Sequence, residues 1–186
     1  MTVDEIFSEL SAHMVEGLMV HAQMSDYYGF LGLKGYQKCH KYHYFEENIG
    51  YRKISEYYIK HYNKVIVEKS IDNPKVIPDS WYQYNRHDVN SNTRKTAIQN
   101  GMDKWVQWER GTKKLYERMY QELMTLGETA SALEVAKYIE DVSKELAHAE
   151  EKLIELKAMD YDIYTIIDKQ ESIHDKYKKK LKEIEL

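Results

Sequence analysis

The residues best suited to chemistry in this chain are carboxylates and imidazoles set at helical spacing. Glu145 and His148 stand three apart, which on a helix puts both on adjacent positions of one face. Glu109 sits between Trp108 and Arg110. Glu16 interrupts a run that continues as Leu18, Met19 and Val20, with His13 one turn before it and His21 on the apolar seam itself. A further group, His40, His43, Glu46 and Glu47, places His43 and Glu47 four apart, but in the order His before Glu. Hard carboxylate oxygens together with imidazole nitrogens suit iron or manganese. Each residue also has a plainer reading: Glu145 and His148 on a solvated flank, Glu109 paired with Lys113, and His21 as a hydrogen-bonded core histidine. Cys39 beside His40 supplies too few soft ligands for a site and reads as a buried thiol. No glycine-rich phosphate loop and no nucleophile elbow is present in the sequence.

Four long segments must position these groups. The first, from about Val3 to Phe30, carries Phe7, Leu10, Met14, Gly17, His21, Met24 and Tyr28 at alternating steps of 3 and 4, the seam of a bundle helix. Thr2 before Asp4 and Glu5 reads as its start. The second, from about Tyr36 to Lys69, is Tyr-rich and interrupted by Asn48 and Gly50. The third runs from about Asn92 to Leu126, and the fourth from about Thr129 to Met159, where Val135, Ile139, Val142, Leu146, Ala149, Leu153 and Leu156 keep the seam without a miss. The tail, Tyr161 to Leu186, reads as a fifth, shorter helix. Short glycine-containing turns join the first pair and the second pair. A breaker-rich stretch from Asp72 to about Asn92, with Pro74 and Pro78, joins the two pairs. The expected fold is therefore all-α: a four-helix bundle of two antiparallel helix pairs with a long crossover between the second and third helices, over residues 1–160, and a C-terminal helical tail over 161–186. The crossover would run the length of the bundle.

The net charge of −4 argues against a basic nucleic-acid binder. The lysines at 176, 178, 179, 180 and 182, followed by Glu183 and Glu185, read as a solvated helix face, with DNA contact as the lesser alternative. No apolar run approaches the length of a membrane span, and the first ten residues lack the basic and apolar regions of a signal peptide. One cysteine excludes an internal disulfide framework and fits a cytoplasmic setting.

The chain resembles the ferritin-like superfamily over about residues 5–160. The likeness is clearest over 105–156, where Glu109 comes early in the third segment and a short turn leads to Tyr138-Ile139-Glu140 and the Glu145/His148 pair. In the first half it rests on Glu16, on Tyr27-Tyr28 before a short turn, and on Tyr44-Phe45-Glu46-Glu47. Carried over position by position, the resemblance implies metal ligands at Glu16, Glu109, Glu145 and His148. The family's second-helix Glu-x-x-His does not carry over: its positions fall near Tyr51 and Ile54, or near Glu47 and Gly50. The site is then remade with His43 and Glu47, reduced to one metal, or lost. The resemblance implies iron as di-iron or mononuclear centre, with manganese as the alternative, a homo-oligomer, and the family's activities: oxidation and storage of ferrous iron by a ferroxidase-type reaction, peroxide removal, or DNA protection. The opposing reading is a non-catalytic helical assembly module that keeps the fold with a degenerate metal site.

Overall fold

The computed structural model describes residues 1–71, 74–76, 85, 87 and 89–184. These form five helices: α1 (Val3–Phe30), α2 (Lys34–Tyr62), α3 (Ser91–Thr125), α4 (Thr129–Ala158) and α5 (Ile163–Ile184). No strand occurs among the described residues. Helices α1 and α2 pack as one pair and α3 and α4 as the other, with α1 against α3, while α5 lies along α2. The expected bundle, its crossover topology and its helical tail are all present.

Local chemistry sets the helix ends. Thr2 caps α1 with a reciprocal pair of bonds: its hydroxyl accepts from the Glu5 amide at 3.3 Å, and its own amide donates to Glu5 Oε2 at 2.8 Å. Asn90 caps α3, its Oδ1 accepting from the Thr93 amide at 2.9 Å. Helix α2 continues through Asn48 and Gly50, but stops at Tyr62 rather than near Lys69. Asn63 takes the left-handed conformation, φ 53°, and closes the last turn through its amide to the Ile59 carbonyl. Beyond it Ile66 is buried, in a segment that belongs to no helix.

That segment begins the crossover. Ser8 near the start of α1 donates to the Val67 carbonyl, and Gln23, fifteen residues further along α1, bonds both the Pro74 carbonyl and the Val76 amide. At about 1.5 Å per residue the two anchors stand roughly 22 Å apart, about half the length of α1. Asp72 and Pro78 lie outside the described residues, as does Glu185.

The core falls into two apolar blocks. One gathers Phe7, Leu10, Met14, Ile54, Tyr58, Met119, Leu123 and Val135. The other gathers Met24, Tyr28, Leu33, Cys39, Ile98, Trp105, Ala149 and, from α5, Ile166 and Tyr177. Tyrosines serve both blocks with ring and hydroxyl, as expected of an amphipathic side chain: Tyr58 donates to Asp4 Oδ1, and Tyr27 to the Ala97 carbonyl at 3.2 Å. Between the blocks, each of the four bundle helices contributes polar residues at mid-height.

Candidate metal centre

The polar belt consists of Gly17 and His21 from α1, His43, Glu46 and Glu47 from α2, Glu109 and Thr112 from α3, and Glu145 and His148 from α4. Its centre is His43, buried between two carboxylates: Nδ1 lies 3.3 Å from Glu46 Oε2 and 3.6 Å from Glu145 Oε1. One ligand atom from each of the three lies within 4.8 Å of the others. Two donors each about 2.1 Å from an ion and at right angles to it stand about 3 Å apart, and opposite donors about 4.2 Å. The spacing is that of a site that closes on one ion with small side-chain movement.

Glu109 is fully buried, its Oε1 accepting from Trp105 Nε1 at 2.9 Å and lying 3.7 Å from His21 Nε2. Lys113, the expected salt-bridge partner, faces Glu117 instead at 3.9 Å. Glu47 reaches across to α1, where Gly17 leaves room for it: a Cβ at position 17 would stand 2.7 Å from Glu47 Oε1. Glu145 and His148 are half-buried, with side chains 26% and 21% exposed, so the flank they share turns inward rather than to solvent. His148 packs edge-on to Trp105, centroids 5.9 Å apart, and its Nδ1 lies 3.8 Å from Glu151 Oε2.

Glu16 has a neighbour on its own helix. Its carboxylate lies 3.5 Å from His13 Nδ1 on the same helix, one third exposed. Successive residues on a helix point about 100° apart, and here the neighbour Gly17 holds the inward position. Of the six carboxylates and histidines read from the sequence, His43, Glu47, Glu145 and His148 line one cavity, Glu109 is buried beside them, and Glu16 is met by His13 of its own helix. Glu46, grouped with His40, His43 and Glu47 by its place on the second segment but not by the ligand set that the resemblance implies, stands beside His43. Sequence reasoning read His21 as a core histidine, and that is how it is held: its Nδ1 meets His40 Nδ1 at 3.1 Å, and His40 stacks on Tyr28 with centroids 5.2 Å apart.

The electrostatics of the belt are those of acids crowded away from water. Burial, then repulsion from Glu145, pushes the Glu109 carboxyl up to about 8. Burial, then Glu145 and Glu109, raises Glu47 well above the carboxylate range. Burial lowers His21 and His40, with His43 adding to both. Burial also holds His148 down to about 4, helped by Lys176 and Lys152. At His43 burial opposes protonation, but Cys39, Glu145 and Glu46 outweigh it and pull the imidazole well above its usual value. Neither His43 ring nitrogen has a hydrogen-bonded partner with good geometry among the described residues, nor do Nε2 of His21 and Nε2 of His40. Converging acids that resist ionisation, a histidine with both nitrogens unsatisfied, and a glycine that clears space for a carboxylate all fit a cation with oxygen and imidazole ligands.

No family model matches this chain, and no curated protein matches it. Solved structures do. An engineered closed form of the Archaeoglobus fulgidus ferritin is 13% identical, with 94% of this chain and 96% of that one covered and a TM-score of 0.77. A humanized archaeal ferritin is 14% identical over 92% and 94% of the two chains, TM-score 0.76. The open-pore ferritin from the hyperthermophilic archaeon Archaeoglobus fulgidus is 13% identical over the same shares, TM-score 0.76. At this identity the likeness is one of fold: the chain is a ferritin-like four-helix bundle with a C-terminal helix. Among the described residues no helix is long and apolar enough to cross a membrane.

Proposed function

We propose that this protein binds iron in the belt between its two helix pairs, as a ferritin-like protein that oxidises ferrous iron and stores or detoxifies it in a homo-oligomer. The observation that carries the reading is the convergence of His43, Glu46 and Glu145 from α2 and α4 within 4.8 Å, with Glu109 and Glu47 held as destabilised acids beside them. His43, Glu46, Glu145, Glu109, Glu47 and His148 would hold the metal. Iron in such a carboxylate-rich site supplies one-electron redox chemistry toward oxygen or peroxide.

The chain's own residues do the rest. Glu109 and Glu47 lose their protons as a cation arrives, so metal uptake releases protons to solvent and strengthens as pH rises. Trp105 fixes the Glu109 carboxylate by its indole N–H, the kind of outer support that orients a ligand and raises its affinity. The apolar blocks above and below shield the belt's inner members, Glu109 and His21, from water and sharpen the charge interactions there.

Iron content and ferrous-iron oxidation of the aerobically purified protein test the reading, with Glu145→Ala and Glu16→Ala compared. Loss of an outer-shell support weakens metal binding by about 10–100-fold, so loss of the ligand Glu145 is expected to cost roughly 100-fold or more. Glu16→Ala is expected to keep the wild-type stoichiometry. Equal iron content in wild type and Glu145→Ala removes the proposal and leaves the assembly-module reading.

A further inference from the structure

The belt is not sealed. A cavity of about 580 Å³ opens to it from the flank where α2, α4 and α5 meet, a volume typical of small-molecule sites. His43, Glu47, Glu145 and His148 line its inner end, and His43 is 4% exposed with both ring nitrogens unsatisfied. Met14, Ile49, Val142 and Ile184 give it apolar wall.

Its remaining lining is cationic. Lys53, Lys144 and Lys176 are exposed at the cavity, and Lys180 is half-buried beside it. On α5, Lys176, Lys180 and Ile184 recur every four residues and so form one stripe along the cavity, while Tyr177 and Leu181 anchor the helix to the core. Lys144 is committed to Glu140 at 2.7 Å. Lys53, Lys176 and Lys180 make no ion pair among the described residues. Lys180 is instead held over the Tyr42 ring, 4.3 Å from its centroid, and Lys176 over Tyr177 at 5.2 Å. Opposite these lysines the cavity holds the carboxylates Glu46, Glu47, Asp141 and Glu145. A divalent ion held among Glu46, Glu47 and Glu145 would offset much of their charge and leave Lys53, Lys176 and Lys180 to attract an anion.

We propose that this cavity binds a small organic monocarboxylate, its carboxylate between Lys180 and the metal site and its hydrocarbon body along Met14, Ile49 and Ile184. The proposal rests on the metal-binding reading above. The apolar wall is what selects an anion with a hydrocarbon body over an inorganic one, since a buried methylene contributes about 0.8 kcal/mol, close to fourfold in affinity.

The experiment is calorimetric titration of the zinc-loaded protein, redox-inert, with hexanoate, acetate and inorganic phosphate. Hexanoate is expected to bind at least tenfold more tightly than either of the others. The double substitution Lys176→Met and Lys180→Met is expected to weaken hexanoate tenfold or more with zinc stoichiometry unchanged. Zinc bound with no hexanoate binding, phosphate equal to hexanoate, or undiminished binding in the double variant each overturns this proposal alone. A wild-type protein that takes up no stoichiometric zinc overturns the metal-binding reading and this proposal with it.

Discussion

The two helix pairs reach the belt by different means. The α3/α4 pair supplies it with a buried glutamate, Glu109, and with a Glu-x-x-His, Glu145 and His148, all at positions the sequence pattern announces. The α1/α2 pair has no Glu-x-x-His on α2, and Glu16 of α1 lies against His13 on its own helix. Gly17 stands where a ligand would project, Glu47 of α2 fills the space, and His43, one turn earlier on α2, gives the imidazole. The difference teaches that acids can be brought to one level of a bundle either by inward phase on their own helix or by reach across a glycine of the neighbouring one.

The largest effect is expected from the residue that ties the pairs together. Trp105 of α3 packs on His40 and His43 of α2, on His148 of α4, and donates to Glu109. Trp105→Ala is expected to cost about 3–5 kcal/mol in urea unfolding and to lower metal affinity as well. A loss confined to one of the two readouts would separate the pairs' packing from their chemistry.

Acid acts on the contact between α1 and α3. His13 stacks on Trp108 at 4.6 Å and bonds Thr112 at 2.8 Å, and burial holds its imidazole down to about 4. The unfolded imidazole takes its proton near 6.5, so between those values unfolding absorbs a proton. His13's contribution is full above pH 6.5 and is lost on acidification toward 4, about 3 kcal/mol in all. Glu109 works in the opposite direction, its raised pKa favouring the folded state as pH falls toward the unfolded carboxylate value. That contribution cancels when wild type is compared with His13→Gln. The stability of the wild type relative to that variant is expected to fall by about 3 kcal/mol from pH 6.5 to 4, measured by denaturation at each pH. A flat difference would mean that water reaches His13.

Glycine substitutions sharpen the asymmetry further. Gly17→Ala places a methyl against the Glu47 carboxylate, and metal affinity is expected to fall about tenfold as that carboxylate withdraws, within the range for disturbed ligand support. Gly111 of α3 has nothing within 4 Å of an added Cβ. Gly111→Ala is expected to leave metal binding alone and to raise stability by about 0.5–1 kcal/mol, the helix preference for alanine. Equal effects at the two glycines would erase the distinction between the pairs.

Helices α1, α3 and α4 were legible because each presents one unbroken seam to one core. Helix α2 was misread at its end because Val65, Ile66 and Val67 continue the apolar rhythm past Asn63, while only Ile66 of the three is buried and both valines are 77% exposed. In the candidate site, Glu109, Glu145 and His148 could be named from phase and chemistry. Glu16 and Gly17 are neighbours whose directions on the helix differ by about 100°, and Gly17 is the one that lies on the seam phase, so the pattern alone gives the carboxylate no fixed place. The His21–His40 contact crosses a turn between two helices and leaves no mark in either pattern. Tyr177 was hidden in a lysine-rich tail that reads as solvated, and Lys176, Lys178, Lys179 and Lys182 are indeed exposed. Only the i, i+4 pair Tyr177 and Leu181 hints at a buried face there.

The belt that divides the hydrophobic interior has a consequence for the molecule as a material. Two greasy blocks stacked end to end are joined by a seam of buried acids around one imidazole. On the proposed reading a cation there would work as a rivet: at one hundred times its dissociation constant it would add about 2.7 kcal/mol to the folded state. The firmness of this bundle would then be set in part outside the chain, by how much metal its surroundings hold.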